Sequence, residues 1–193
     1  MPGLRERNLA TAKAAIQACA LDLFTKNGYA QTTVEQIAEA AEVSPSTFFR
    51  YFKTKEAVIL YDSIDPIIIE AFINQPTNIP TIRAMRNAVH VLTTTLSVEQ
   101  RERELQRFAL LHAHPVLQNK TFGETAASID GLASIIAKRT MKDPGDVAVR
   151  NLAGAIVGVM VAVLQQTYKQ PSMAIFEGDM DTALKRLEQG LEP

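Results

Sequence analysis

Apolar residues recur along the chain at intervals of three and four, the spacing of one helix face, and no stretch shows the strict alternation of a half-buried strand. Residues 9–27 carry Ile16, Ala20, Leu23 and Phe24 at helical spacing and stop at Asn27-Gly28, a C-terminal punctuation. Thr33-Val34-Glu35-Gln36 has the form of a capping box and opens a short helix to about Ala41. Ser44-Pro45 pairs a capping hydroxyl with proline at the first helical position and opens a second short helix to about Phe52. Thr54 can cap a connector helix, with Glu56 in its first turn, that runs toward Asn74. After a break at 74–80, helices are expected at about 80–97, 98–113, 115–140, 145–169 and 179–191. The breaks between them fall at Ser97, His114-Pro115, Asp143-Pro144-Gly145 and Gln170-Pro171-Ser172. The pattern predicts an all-α protein of about nine helices. Residues 1–55 form a three-helix, helix-turn-helix unit and residues 56–193 a helical bundle.

Composition narrows the class. At 47% hydrophobic and 21% charged, the chain can bury a real core. A single cysteine, Cys19, rules out an intramolecular disulfide and suits a reducing cytoplasm. It is expected to be a small core residue of the first helix. The basic start MPGLRERN leads into no apolar segment, so no signal peptide is expected. The longest apolar run, Leu152 to Leu164, is shorter than a bilayer span, and no membrane association is expected. Net charge is −1, and residues 1–60 balance seven Lys/Arg against six Asp/Glu. Bulk charge therefore gives no nucleic-acid signature, and any such function must rest on a few well-placed cations.

The segment from Thr33 to Phe52 supplies that placement. Its two short helices flank a turn at Glu42-Val43-Ser44. Ile37, Ala38, Ala41, Val43, Phe48 and Phe52 can form the small core that fixes the angle between them. Ser44, Pro45, Ser46, Thr47, Phe49, Arg50 and Tyr51 are left on or near the exposed side of the second helix. A second helix of this kind enters the major groove N-terminus first. The hydroxyls of Ser46 and Thr47 can reach base edges or phosphates, Phe49 thymine methyls, and Arg50 phosphate or guanine. Tyr51 and Lys55 are placed for the DNA backbone, and the helix starts at Thr33 and Thr54 offer amides to phosphates. Burying all four aromatics of 48–52 would require a helix apolar on every side, which Ser46 and Arg50 contradict.

Beyond those positions, the string Ile16, Cys19-Ala20, Leu23-Phe24, Gly28-Tyr29, Thr32-Thr33-Val34, Ile37-Ala38, Ala41, Val43-Ser44, Thr47-Phe48-Phe49, Tyr51-Phe52 and Lys55-Glu56 resembles the TetR family of bacterial regulators. The resemblance covers roughly residues 10–60. It implies an Ω-shaped homodimer, a recognition helix at about 45–51 that reads double-stranded operator DNA, and a ligand-binding C-terminal bundle. Where the family usually has glycine in the turn, this chain has Glu42. Thr47 to Phe52 followed by Lys55-Glu56, Tyr61-Asp62 and an apolar connector is similar to a subgroup often described as acyl-CoA-like ligand-binding regulators.

Residues 147–168 form a helix apolar nearly all round, which must be buried on more than one side. Gly154, Ala155, Gly158 and Ala162 make a small-residue stripe that allows another helix to approach closely. The family resemblance implies a four-helix dimer interface, which Leu184, Leu187 and Leu191 of the last helix would complete. A bundle pocket should be mostly apolar with a few polar groups. Candidates are Phe72, Met85, Val89, Phe108, Leu111 and His112, with Phe122, Ile129, Leu132, Met160 and Tyr168 from later helices. With no tryptophan and no concentrated charge, they favour a hydrophobic or amphipathic small-molecule effector. His112 and His114 lie about 200° apart on a helix and cannot chelate from one face, so neither metal nor cofactor is expected. The mixed run 99–104 reads as a solvated face, with Glu99 and Arg103 paired; Arg107, one turn on, is expected to be exposed, the alternative being a contact with a ligand carboxylate or phosphate. No nucleophile–base set or phosphate loop marks an enzyme. The expectation is a ligand-released repressor on a pseudo-palindrome; the alternative is a DNA-binding regulator without a small ligand, constitutive or governed by a partner protein.

Overall fold

The computed structural model describes residues 4–190. Among them run eleven α-helices: α1 (Leu4–Asn27), α2 (Val34–Ala40), α3 (Pro45–Tyr51), α4 (Lys55–Leu60), α5 (Asp65–Ile73), α6 (Thr81–Thr95), α7 (Val98–Ala113), α8 (Pro115–Gly123), α9 (Thr125–Thr140), α10 (Val147–Lys169) and α11 (Met173–Gln189). The all-α architecture is as expected, and two of the expected helices are each divided. The connector at 54–74 breaks between α4 and α5, where Asp62 Oδ1 accepts from the amides of Ile64 at 2.8 Å and Asp65 at 3.1 Å. That carboxylate turn starts a new helix, and Pro66 in its first turn has no N–H to continue the old one. The helix expected at 115–140 breaks at Glu124, just after the poor helix former Gly123. The last helix begins at Met173, earlier than the expected 179. Ser172 Oγ accepts from the Ile175 amide at 3.3 Å, and Met173, Phe176, Met180 and Leu184 bury one continuous stripe.

The caps read from the sequence are formed. Thr33 and Gln36 make the reciprocal capping box, Ser44 accepts from the Thr47 amide, and Thr54 from the Ala57 amide. α1, α2 and α3 close over Ile16, Ala20, Ile37, Ala38, Phe48 and Phe52. In the bundle α6 packs between α5 and α11, and α10 packs on α7, α9 and α11. By length and composition α10 could cross a bilayer, with a mean hydropathy of 2.1. Here Val149, Ala153, Ile156, Val157, Val163 and Thr167 bury one side of it in the core of the fold.

Three contacts tie the two parts together. The buried Gln17 amide donates to the carbonyls of Val58 at 2.8 Å and Tyr61 at 2.7 Å, fixing the end of α4 to α1. Tyr29, in the loop after α1, lays its ring against His114 at the α7–α8 junction, centroids 4.8 Å apart. Its hydroxyl donates to Glu56 on α4 at 2.5 Å; burial and then this bond push the Tyr29 pKa up, and the bond holds the Glu56 carboxyl below its usual range.

Candidate nucleic-acid interface and bundle cavity

The α2–α3 turn shows how the sequence fixes the interface. Glu42 adopts φ +54°, the left-handed angle that favours glycine. The amides of Glu42 and Val43 then return to the carbonyls of Glu39 at 3.0 Å and Ala38 at 2.9 Å, closing the end of α2. α3 buries Phe48 and turns Pro45, Ser46, Phe49 and Arg50 outward; Phe49 is 45% exposed. Thr33 and Ser44 are exposed as well. Ser44 Oγ lies 2.8 Å from Ser46 Oγ and donates to Thr47 Oγ1 at 3.0 Å, so the three hydroxyls form one cluster at the start of α3. Thr47 itself is half-buried. At the other end Arg50 stacks on the Tyr51 ring, 5.0 Å from its centroid, and donates to the Tyr51 hydroxyl at 3.3 Å.

Lys55 is placed differently from the sequence expectation of a free backbone cation. Its ammonium donates to the carbonyls of Tyr29 at 2.9 Å and Thr32 at 3.2 Å and sits 4.5 Å from the Tyr29 ring centroid. It therefore ties the loop before α2 to α4. Cys19 is half-buried, with its thiol directed to the Ala40 carbonyl at 3.3 Å.

The bundle holds two adjoining chambers, of about 160 and 180 Å³, that share Asp65, Ser128, Val157 and Met160. The first lies where α4, α5, α8, α9 and α10 meet; Leu60, Phe122, Leu164 and Tyr168 supply apolar wall, and Asp62, Lys120 and Glu124 charge. The second is lined by Ile68, Ile69, Met85, Leu132 and Ile135 and is almost wholly apolar. Of the eleven residues expected in a pocket, Met85, Phe122, Leu132, Met160 and Tyr168 line these chambers. Phe72, Phe108 and Leu111 are sealed in packed core, Phe108 with its ring 5.5 Å from that of Tyr168. Val89 is buried beneath a polar cleft between α6 and α11, and Ile129 is half-buried outside both chambers. His112 is exposed: the inward stripe of α7 is Glu104, Arg107, Phe108 and Leu111, and His112 lies one step past its end.

That stripe corrects the solvated reading of α7. Arg107 is only 1% exposed and Glu104 only 3%. Arg107 Nε donates to Glu104 Oε2 at 2.7 Å and its Nη2 to Asp62 Oδ2 at 2.9 Å, while Ser63 Oγ donates to Glu104 Oε1 at 2.9 Å. Burial works against the Arg107 charge, but Asp62 and Glu104 outweigh it and hold the guanidinium firmly protonated. Glu99 bonds the Ser97 hydroxyl at 2.6 Å. Asp65 opens onto both chambers, and its carboxyl is pushed up to about 7, chiefly by the neighbouring Asp62 charge and then by burial, against the pull of Arg107. Burial likewise raises the Tyr168 hydroxyl to about 12. The sequence reading missed Asp62, Asp65 and Ser128. The signal for the first two was present in Asp62-Ser63-Ile64-Asp65-Pro66, a helix-start pattern read instead as continuous helix.

On the α10–α11 face, Gly158 and Ala162 are exposed and Gly154, Ala155 and Leu187 half-buried. A methyl group added at Gly154 or Gly158 would touch nothing within 4 Å in the protomer. Val159, Ala162, Val163 and Ala183 floor a shallow groove there. Leu184 is a correction: it is fully buried within the protomer core and is not available to a partner. Leu191 lies outside the described residues.

Residues 16–61 match the family described as bacterial regulatory proteins, tetR family, and residues 79–192 match the MftR C-terminal domain, a stretch longer than half of the chain. The chain belongs to the TetR family. It is similar to the HTH-type transcriptional regulator TcmR of Streptomyces glaucescens, 45% identical over 89 residues, which are 45% of this chain and 39% of that protein. It is also similar to RutR of Escherichia coli K12, 29% identical over 145 residues, 70% of this chain and 65% of RutR. The chain thus spans less than two thirds of either relative. In fold it resembles Thermus thermophilus FadR, a TetR-family repressor in complex with lauroyl-CoA, with a TM-score of 0.55 at 21% identity over 94% of this chain and 95% of FadR. As a TetR-family chain it carries the family's helix-turn-helix as α2–α3.

Proposed function

We propose that this TetR-family protein is a ligand-responsive repressor that acts in the cytoplasm. It binds a pseudo-palindromic operator as a homodimer and is released by an apolar or amphipathic small molecule. The observation that carries the reading is the position of the cavity. Leu60 and Asp62, which line it, sit at the end of the same short connector whose carbonyls are bonded to Gln17 of α1. A molecule filling the first chamber therefore leans on the element that holds the helix-turn-helix. The exposed face of α3 supports the DNA contact, and the FadR complex is a precedent for an amphipathic ligand in this fold. The open stripe at Gly154, Gly158 and Ala162 supports a second copy packed against α10 and α11.

A mobility shift on the DNA just upstream of the protein's own gene, with random DNA as competitor, tests this reading. A specific complex that an apolar cell extract reverses is the expected result. A specific complex that no extract reverses would favour a regulator without a small ligand. Within the interface, Tyr51→Ala is expected to weaken binding to all sequences about equally, with the salt slope unchanged because its hydroxyl carries no charge. Equal binding by the wild type and the variant at moderate salt would remove Tyr51 from the backbone contacts.

A further inference from the structure

The cavity also carries a charge pattern that narrows the ligand, an inference that rests on the ligand-responsive reading above. One end is apolar, walled by Ile68, Met85, Leu132 and Ile135. The other end is acidic. Asp62, Asp65 and Glu124 line it against a single lysine, Lys120, and Glu104 lies just behind. Arg107 is already committed to Asp62 and Glu104, at 2.9 and 2.7 Å. No hydrogen bond or ion pair reaches the Asp65 carboxyl among the described residues, yet it stands at the boundary of the two chambers, where a ligand's polar head would meet its tail.

We propose that the effector is an amphipathic organic cation, its protonated nitrogen paired with Asp65 and its hydrocarbon part in the chamber of Ile68, Met85, Leu132 and Ile135. Asp65 is an exposed residue at the chamber boundary, and beside Asp62 and Glu104 its carboxyl has no hydrogen-bonded counter-charge; an ammonium group supplies both the charge and the donor hydrogens. An anionic head placed at the same point would add to the repulsion among Asp62, Asp65 and Glu104. The upward shift of the Asp65 carboxyl has the same first cause, the neighbouring Asp62 charge. A bound cation draws on Asp62 as well, the one carboxylate that both starts α5 and holds Arg107, so head-group binding acts on the α4–α5 junction.

Three twelve-carbon probes that differ only in head group test the proposal: dodecylamine, dodecanol and laurate. Each is titrated below its micellar concentration into the full-length protein at neutral pH, by calorimetry and by release of bound operator. The amine is expected to bind about tenfold or more tighter than the alcohol, the size of one charge-assisted hydrogen bond, and laurate weakest. Asp65→Asn should bring the amine down to the level of the alcohol. The ranking in the wild-type protein decides the matter independently of that variant. Laurate or dodecanol binding as tightly as the amine would overturn the cationic assignment and leave the ligand-responsive reading standing. Preferential binding of the amine without operator release would support the site and overturn the regulatory reading. Binding of none of the three would overturn both.

Discussion

Asp65 shows what a single residue does in this fold. It opens α5, where a negative charge is favoured by the helix dipole, and it also faces Asp62, Glu104, Arg107 and Tyr168. Its carboxyl is raised from 3.8 to about 7, so the folded protein holds this proton more tightly than the unfolded chain does. Stability is therefore lost as pH rises from about 4 through 7, where the folded state must ionise a crowded acid. Asp65→Asn is expected to raise the urea midpoint at pH 8, with the gain shrinking as pH falls and vanishing near pH 4. An equal gain at pH 5 and pH 8 would show that Asp65 is not crowded in this way. At this scale the local chemistry was legible. Thr33, Ser44 and Thr54 cap helices through amides three residues away, so their neighbours in sequence suffice. Asp65 was not legible, because the groups that crowd it include Glu104, Arg107 and Tyr168, brought in by α7 and α10.

Elements divide along the same line. α2, α3 and the turn between them follow from caps, proline and a few apolar positions, and Glu42 meets the turn's demand by adopting the glycine-like angle. The connector was misread because helical spacing of apolar residues continues across 58–72 while the backbone does not. α7 was misread because Glu99 to Glu104 looks like a solvated face until two partners arrive from the α4–α5 junction, Asp62 for Arg107 and Ser63 for Glu104. That network predicts a large effect. Arg107→Leu leaves Asp62 and Glu104 without a counter-charge and is expected to cost about 3–5 kcal/mol of stability, as breaking buried ion pairs does. A loss below about 1 kcal/mol in urea unfolding, the range of exposed pairs, would mean that water reaches the cluster.

For the whole molecule, the proposed dimer rests on the open face of α10 and α11. α10 is apolar nearly all round, but one protomer buries only one side of it. The rest carries the small residues Gly154, Gly158 and Ala162, and at the two glycines nothing in the protomer lies within 4 Å of an added methyl group. Gly158→Arg is expected to give monomers by sedimentation with unchanged helical content, and with operator affinity lost because two linked recognition helices are needed. A dimer that survives this substitution would place the interface elsewhere. The stripe was legible in the sequence; that Leu184 belongs to the protomer core was not, because its burial depends on how α6 lies across α11.

The central claim is that cavity and recognition helices are coupled, and it concerns one distance. Spin labels at Glu39→Cys, an exposed site on α2, in a Cys19→Ser background report the separation of the two helix-turn-helix units by double electron–electron resonance. In the operator complex a single narrow distance is expected, with the recognition helices themselves about 34–36 Å apart. A ligand that releases the DNA should shift or broaden that distance in the free dimer. An identical distribution with and without such a ligand would contradict the account.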